Sequence, residues 1–188
     1  MIITLLLSVL LPVIFLILLL IKGGKELFLP WLFGALGFFV PQIIIRIPAL
    51  QILGGLSAVK DFIGEYPVIY FLILALTAAL FETAGRIIVF KILLKSKITY
   101  KIGLAAGAGH GGIESIMLIG MTYVNNLIYS ILINTGLISM LIKDLSVLNT
   151  LTGALTGTPN ELFLMAGFER IFTMVFHICL SLLIALFI

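Results

Sequence analysis

The chain has little charge. Only 10% of its 188 residues are Asp, Glu, Lys or Arg, against about a quarter in a soluble domain. That shortage excludes an ordinary soluble globule. A single cysteine, Cys179, sits in an apolar run, which excludes a disulfide framework. Histidine is also scarce, with only two in the chain. No nucleotide-binding loop, haem motif or serine elbow is present. The stretch His110-Gly111-Gly112-Ile113-Glu114 does not match the His-Glu-x-x-His of soluble zinc proteases. No Gly/Ser/Pro-rich linker breaks the chain, so residues 1–188 read as one integral membrane domain.

What the chain does have is apolar length. It is 62% hydrophobic, with a mean hydropathy of +1.34. Its first partner is therefore the lipid bilayer. The net charge of +3 comes from loop lysines and carries no nucleic-acid footprint. Met1 to Ile21 is too long for a signal-peptide core and lacks a basic start or cleavage site, so it reads as a true span.

Five spans are expected, in an all-α polytopic bundle. The first runs from about Ile2 to Ile21, roughly the 20 residues that cross ~30 Å of hydrocarbon. The second runs from about Leu27 to Leu53, with Trp31 as an interfacial anchor and kinks at Pro41 and Pro48. Arg46 lies between those prolines and reads first as a side chain that snorkels or bonds freed carbonyls. Gly54 to Glu65 reads as a loop. The third span covers about Tyr66 to Leu94. From Ile102 to Ile142 the only acid or base besides His110 is Glu114. This stretch is expected to form one long tilted helix to about Asn134-Thr135-Gly136, then a short apolar segment, with a broken helix as the alternative. Lys143 to Asn160 reads as a loop, Thr158-Pro159-Asn160-Glu161 as a helix start, and Leu162 to Ile188 as the last span. A membrane barrel would instead show alternating segments of ~10 residues.

Lys91, Lys95, Lys97 and Lys101 form the densest basic cluster and mark a cytoplasmic loop under the positive-inside rule. Lys22 and Lys25 agree, being two spans away. The amino terminus is then expected outside.

The costly residues are those at membrane depth, where an ionisable group is a functional-site hypothesis by default. Glu82 and Arg86 are four apart on one helix face. They read either as an intrahelical ion pair or as a carboxylate fixed for chemistry. His110, Glu114 and Asn125 fall within ~60° of one face at ~100° per residue, with Asn126 beside them. Arg170, His177 and Ser181 share a face of the last span, with Glu169 about 80° away. Each set has a bland reading as hydrogen-bonding glue between helices. Depth argues for a shared site. Glu82, His110 and His177 each stand ~14–18 Å from the expected cytoplasmic end of their span, which for His177 is the carboxyl terminus, at 1.5 Å per residue.

Two imidazoles and one or two carboxylates can hold Zn²⁺ and leave a position for water. If a metal is bound, its candidate ligands are His110, His177 and Glu114, the His110-x3-Glu114 spacing suiting either two ligands or a base and its orienter. The same groups work without metal when a glutamate takes a proton from water and a histidine or asparagine holds the oxyanion. Either suits hydrolysis of a membrane peptide. A proton relay in a small transporter uses the same residue types.

Phe81-Glu82-x3-Arg86 with its Lys-rich span end, Gly109-His110-Gly111-Gly112-Ile113-Glu114 with Asn125-Asn126, and Glu169-Arg170-x6-His177-x3-Ser181 together resemble the YhfC family of bacterial intramembrane metalloproteases. That family is related to the CAAX prenyl endopeptidase and bacteriocin-processing (CPBP) group. The resemblance covers about residues 80–185. It implies an intramembrane peptidase of the bacterial plasma membrane with catalytic Glu82, His110, Glu114 and His177, supported by Arg86, Asn125, Asn126, Glu169, Arg170 and Ser181. It departs from the CPBP pattern at Phe81, where the pattern has a second acid. That pattern also continues into further spans with another His-x3-Asp/Asn motif. Within this chain the imidazoles are expected to come from His110 and His177 alone. A non-catalytic immunity or partner-binding protein on the same scaffold is the alternative.

Overall fold

The computed structural model describes residues 1–95 and 98–188, so Lys97 of the basic cluster lies outside the described residues. Among the described residues there are helices and short connections and no strand. The elements are α1 (Ile2–Gly23), α2 (Lys25–Gly54), α3 (Ser57–Glu65), α4 (Pro67–Leu93), α5 (Tyr100–Asn134), α6 (Ile138–Leu141), α7 (Leu145–Gly157) and α8 (Asn160–Leu186). The five long ones, α1, α2, α4, α5 and α8, are each apolar and long enough to cross a membrane. The chain is an all-α, multi-pass membrane protein.

The stretch 102–142 resolves as the long helix α5, of 35 residues, followed by the single short turn of α6. Two stretches expected to be loops are helical instead. Ser57–Glu65 forms α3 and Leu145–Gly157 forms α7. The polar composition hid them. In α7, Leu145, Leu148, Leu151 and Leu155 recur at helical spacing, and Asp144 caps the start. Its side chain accepts from the Ser146 and Val147 amides, two of the donors a helix start leaves free. The Ser146 hydroxyl and these amides hold the Asp144 carboxyl below its usual range. Neither α3 nor α7 buries a residue, so both lie on the surface of the bundle.

The first half of α5 is the axis of the fold. From Gly103 to Gly112 its only side chains larger than a methyl are Leu104 and His110. Without lipid-excluding apolar bulk to drive association, small residues let helices approach to backbone contact. A Cβ on Gly109 would overlap the Trp31 carbonyl of α2, and one on Gly107 would stand 2.6 Å from the Ile178 Cα of α8. Trp31, expected at the membrane interface, is thus packed against α5, and its indole N–H is buried. On the third side of α5, α1 contributes Pro12, whose ring faces Gly112.

Pro12 also ties α1 to α5. Proline has no N–H, so it leaves the carbonyl four residues earlier without its helix partner. That carbonyl belongs to Ser8, and the Ser115 hydroxyl of α5 donates to it at 3.0 Å. Nearby, the Thr4 and Tyr123 hydroxyls both donate to the Phe163 carbonyl of α8.

Helix α4 is the outlier. It packs on α2, where Gly37 and Gly85 meet backbone to backbone, but barely touches α8. The gap between α4 and α8 exposes the interior.

Among the described residues, three π-helical segments interrupt the long helices: Phe39–Arg46 in α2, Val89–Leu93 in α4 and Ser115–Gly120 in α5. Such segments occur often at functional sites. Here each adjoins a polar residue at membrane depth. The first carries Gln42 and Arg46, the second comes just after Arg86, and the third begins directly after Glu114.

Candidate metal centre

Glu82, His110 and His177 come from three different helices and meet at one point. One ligand atom from each lies within 4.8 Å of the other two. Glu82 Oε2 is 3.6 Å from His110 Nε2 and 3.8 Å from His177 Nδ1. The two imidazoles face each other with centroids 5.1 Å apart. Their burial is nearly complete, at 1% exposure for His110 and 5% for His177. Phe38 closes the site edge-on to His110, at 5.2 Å.

Charged groups surround these three. Arg86 holds Glu82 Oε2 at 3.5 Å and contacts His177 Nδ1 through Nη2. On the other side of the His177 ring, Nε2 faces Glu114 Oε2 at 2.6 Å. Arg170 reaches Glu114 Oε1 at 3.5 Å and Glu169 at 2.7 Å. Glu114 therefore lies behind His177, on the side away from Glu82. A carboxylate on the outer nitrogen of a ligating histidine fixes its tautomer and ring orientation.

These residues suit a divalent metal by their donor chemistry. Two imidazoles and one carboxylate are a common catalytic zinc set, with bonds of about 2.0–2.2 Å that hold ligand atoms about 3.3 Å apart in a tetrahedron. The two distances to Glu82 Oε2, 3.6 and 3.8 Å, are slightly wider, and all three ligand atoms lie within 4.8 Å of one another. Both ring nitrogens of His110 are buried with no hydrogen-bond partner among the described residues. Orphaned buried polar atoms are rare and call for an explanation. A ligand on Nε2 supplies one. The carboxylate that meets both imidazoles is Glu82, whereas the sequence pointed to Glu114.

A cavity of about 490 Å³ opens onto this centre through the gap between α4 and α8. It is lined by Glu82 and Arg86 from α4, Glu114 from α5, and Glu169, Arg170 and His177 from α8. Glu169 stands at its exposed edge, with a side chain 61% exposed.

The model of the YhfC intramembrane metalloprotease family matches residues 7–188. The chain belongs to the YhfC family. It is 32% identical over 158 residues to the "Uncharacterized membrane protein YhfC" of Bacillus subtilis (strain 168), covering 80% of this chain and 60% of that protein. This YhfC chain thus spans 60% of the length of that relative. No solved structure matches it.

Of the supporting residues expected from the sequence, Arg86, Glu169 and Arg170 reach the cavity of this YhfC chain. Ser181 is fully buried against Gly107, one turn from His177, and its hydroxyl has no partner among the described residues. Asn125 and Asn126 stay away. Asn125 is exposed and Asn126 half-buried. The π-helical segment between Glu114 and Asn125 explains this. An i→i+5 turn inserts an extra residue, so every later side chain lags by about one position, or ~100°.

Gln42 was not singled out in the sequence. It is 3% exposed, and its Nε2 donates to Glu82 Oε1 at 3.1 Å. An uncharged glutamine carries no signal of cost in an apolar run. Its position four residues before Arg46 was the one available clue.

The ion pairs give an asymmetric expectation. Arg170→Met leaves Glu114 buried without its arginine, and an uncompensated buried charge costs about 3–5 kcal/mol. Glu114→Gln leaves Arg170 its 2.7 Å contact with Glu169. Thermal unfolding in detergent should therefore show the larger loss for Arg170→Met. Equal losses would mean that Glu169 does not hold Arg170.

Proposed function

We propose that this protein is a zinc-dependent intramembrane peptidase that hydrolyses a membrane-associated peptide at the Glu82–His110–His177 centre. The observation that carries this reading is the convergence of those three side chains, with an orphaned His110, beside a cavity between two helices that Glu82 and His177 line. His110 Nε2, His177 Nδ1 and Glu82 Oε2 would hold the ion. A zinc ion bound there supplies Lewis acidity to a substrate carbonyl and lowers the pKa of water.

The chain's own residues do the rest. Glu82 takes the proton of the attacking water on Oε1, the carboxylate oxygen turned away from the imidazoles, which keeps a second lone pair beside its bond from Gln42, and delivers it to the leaving amine. Glu114, held by Arg170, keeps the His177 ring oriented through Nε2. The peptide enters laterally through the gap between α4 and α8, its backbone passing Thr83, Thr173 and Phe176, which line the cavity.

The test is zinc content and cleavage together. Purified protein should hold about one zinc per chain and cleave a reconstituted membrane peptide, and a chelator should stop cleavage until zinc is restored. Absence of stoichiometric zinc in active protein sinks the metal mechanism.

One observation favours a second reading. The Arg86 guanidinium already sits between Glu82 Oε2 and His177 Nδ1, where a cation belongs. In that reading Arg86 replaces the metal, and the chain is either a metal-free glutamate peptidase or a non-catalytic scaffold. Arg86→Gln separates the two. It should raise zinc affinity if arginine and metal compete, and leave a metal-free site unable to take zinc.

The protein is read as residing in the plasma membrane with its amino terminus outside and the site toward the cytoplasmic half. Lys22 and Lys101 line one groove, which supports a common face for the two basic ends. Lys22→Cys and Ser57→Cys, each in a Cys179→Ser background, test this with a membrane-impermeant maleimide on whole cells. Only Ser57→Cys should label. Labelling of Lys22→Cys instead would invert the topology.

A further inference from the structure

Glu82 has two carboxylate oxygens with separate surroundings. Oε2 faces Arg86, His110 and His177. Oε1 accepts from Gln42 Nε2 at 3.1 Å. The same Nε2 donates its other hydrogen to the Ala78 carbonyl at 3.1 Å, one turn earlier on α4. The glutamine carbonyl, Oε1, accepts from Arg46 Nη1 at 3.2 Å. Arg46 is itself fixed, by Nε to the Thr77 hydroxyl at 3.1 Å and by Nη2 to the Leu74 carbonyl at 2.5 Å.

This network has one polarity. An amide can flip, and its O and N ends are assigned by their partners. Arg46 offers only donors, so the glutamine oxygen must face it. Ala78 O and the Glu82 carboxylate offer only acceptors, so the NH₂ must face them. Both NH₂ hydrogens and the carbonyl are then used, in a site where an unpaired polar group is costly. A flipped Gln42 would set its oxygen against the carboxylate and its NH₂ against a guanidinium.

The backbone supplies the spacing. Gln42 and Arg46 both lie in the π-helical segment Phe39–Arg46, which contains Pro41, and the two run alongside α4 from Leu74 to Glu82. Gln42 is as buried as the histidines, so the central link of this chain is shielded, while Arg46 and Thr77 are half-buried.

We infer that Gln42 and Arg46 are positioning residues for Glu82: Arg46 sets the direction of the Gln42 amide, and Gln42 anchors one carboxylate oxygen so that the other faces His110 and His177. This rests on the reading that Glu82 is the reactive carboxylate. It adds two residues from a helix that carries none of the proposed ligands. Arg46 acts only through Gln42. The two substitutions are therefore not additive, because residues within one hydrogen-bond network couple.

Two readouts test it. The first needs no metal. The infrared difference between each protein and its own Glu82→Gln version isolates the Glu82 carboxylate band. That band should shift in Gln42→Leu and in Arg46→Met, and return toward the parent position in Arg46→Lys. The second is zinc affinity by competition with a chelating dye. Gln42→Leu should weaken it about 10–100-fold, as for other hydrogen-bond partners of metal ligands. Arg46→Met should weaken it less, and the double variant no more than Gln42→Leu alone. Where Gln42→Leu does not fold, Gln42→Asn and the Arg46 pair give the same comparison.

An unmoved carboxylate band in folded Gln42 and Arg46 variants overturns the inference. So do additive losses of zinc affinity. A shifted band in a protein that binds no zinc leaves the positioning role standing and sinks the zinc reading instead.

Discussion

Gly109→Leu should leave no folded protein to purify, and Gly109→Ala should fold but unfold at lower temperature and lose zinc affinity. In an isolated helix the change from glycine to alanine stabilises by about 0.8–1 kcal/mol. Here a Cβ would overlap the Trp31 carbonyl, and it would stand 2.8 Å from the Trp31 carbonyl carbon and 3.0 Å from the Ala35 nitrogen. All three are backbone atoms, which cannot rotate away as a side chain can. The two helices must separate, at the cost of about 1–3 kcal/mol typical of overpacking, and the propensity gain is outweighed. His110 is the next residue along α5. Any separation of α2 from α5 moves it relative to Glu82, and displacements near 1 Å are enough to disable a preorganised site. Gly153→Ala in α7 is the control, since a Cβ there meets nothing within 4 Å. It should be neutral or stabilising. If Gly109→Ala matches the parent in both unfolding temperature and zinc binding, α5 does not pack on α2 at Gly109.

The spans were legible in the sequence because water-filled alternatives do not exist in hydrocarbon. A long run that is apolar without alternation must be a helix there, because a barrel strand would alternate, and the polar residues mark its ends. The convergence of polar groups was legible for the same reason. His110, Glu82 and His177 are too costly to scatter at one depth, and the structure brings them together. What could not be read was direction around the helix axis. A uniform 100° per residue carries Asn125 onto the His110 face, but the π-helical turn at Ser115–Gly120 breaks that phase. The choice between Glu82 and Glu114 as partner of both imidazoles was hidden likewise. It depends on which way the His177 ring faces, with Nδ1 toward Glu82 and Nε2 toward Glu114. Gln42 was invisible because an amide carries no charge to betray its burial. The surface helices α3 and α7 were missed because polar side chains suit a helix lying outside the bundle as well as they suit a loop.

Glu82→Gln should lower peptide cleavage by about 10²–10⁴-fold, the range for loss of a general base, while zinc still binds. The amide keeps an oxygen donor at the ligand position but cannot take a proton from water. His110→Ala removes a nitrogen donor outright, so zinc affinity should fall by more than the ~10–100-fold lost with a partner behind a ligand. The protein should still fold, because His110 donates no hydrogen bond to the bundle among the described residues. Glu114→Gln should be the mildest of the three. Its amide oxygen can still accept from His177 Nε2, and only the charge behind the ring is lost, a change of about 10–100-fold. The order of effects therefore separates the roles of two carboxylates that share one cavity. If Glu114→Gln abolishes cleavage and keeps zinc, while Glu82→Gln loses zinc, Glu114 is the base and Glu82 only a ligand. Equal, full activity in all three variants would remove the site altogether.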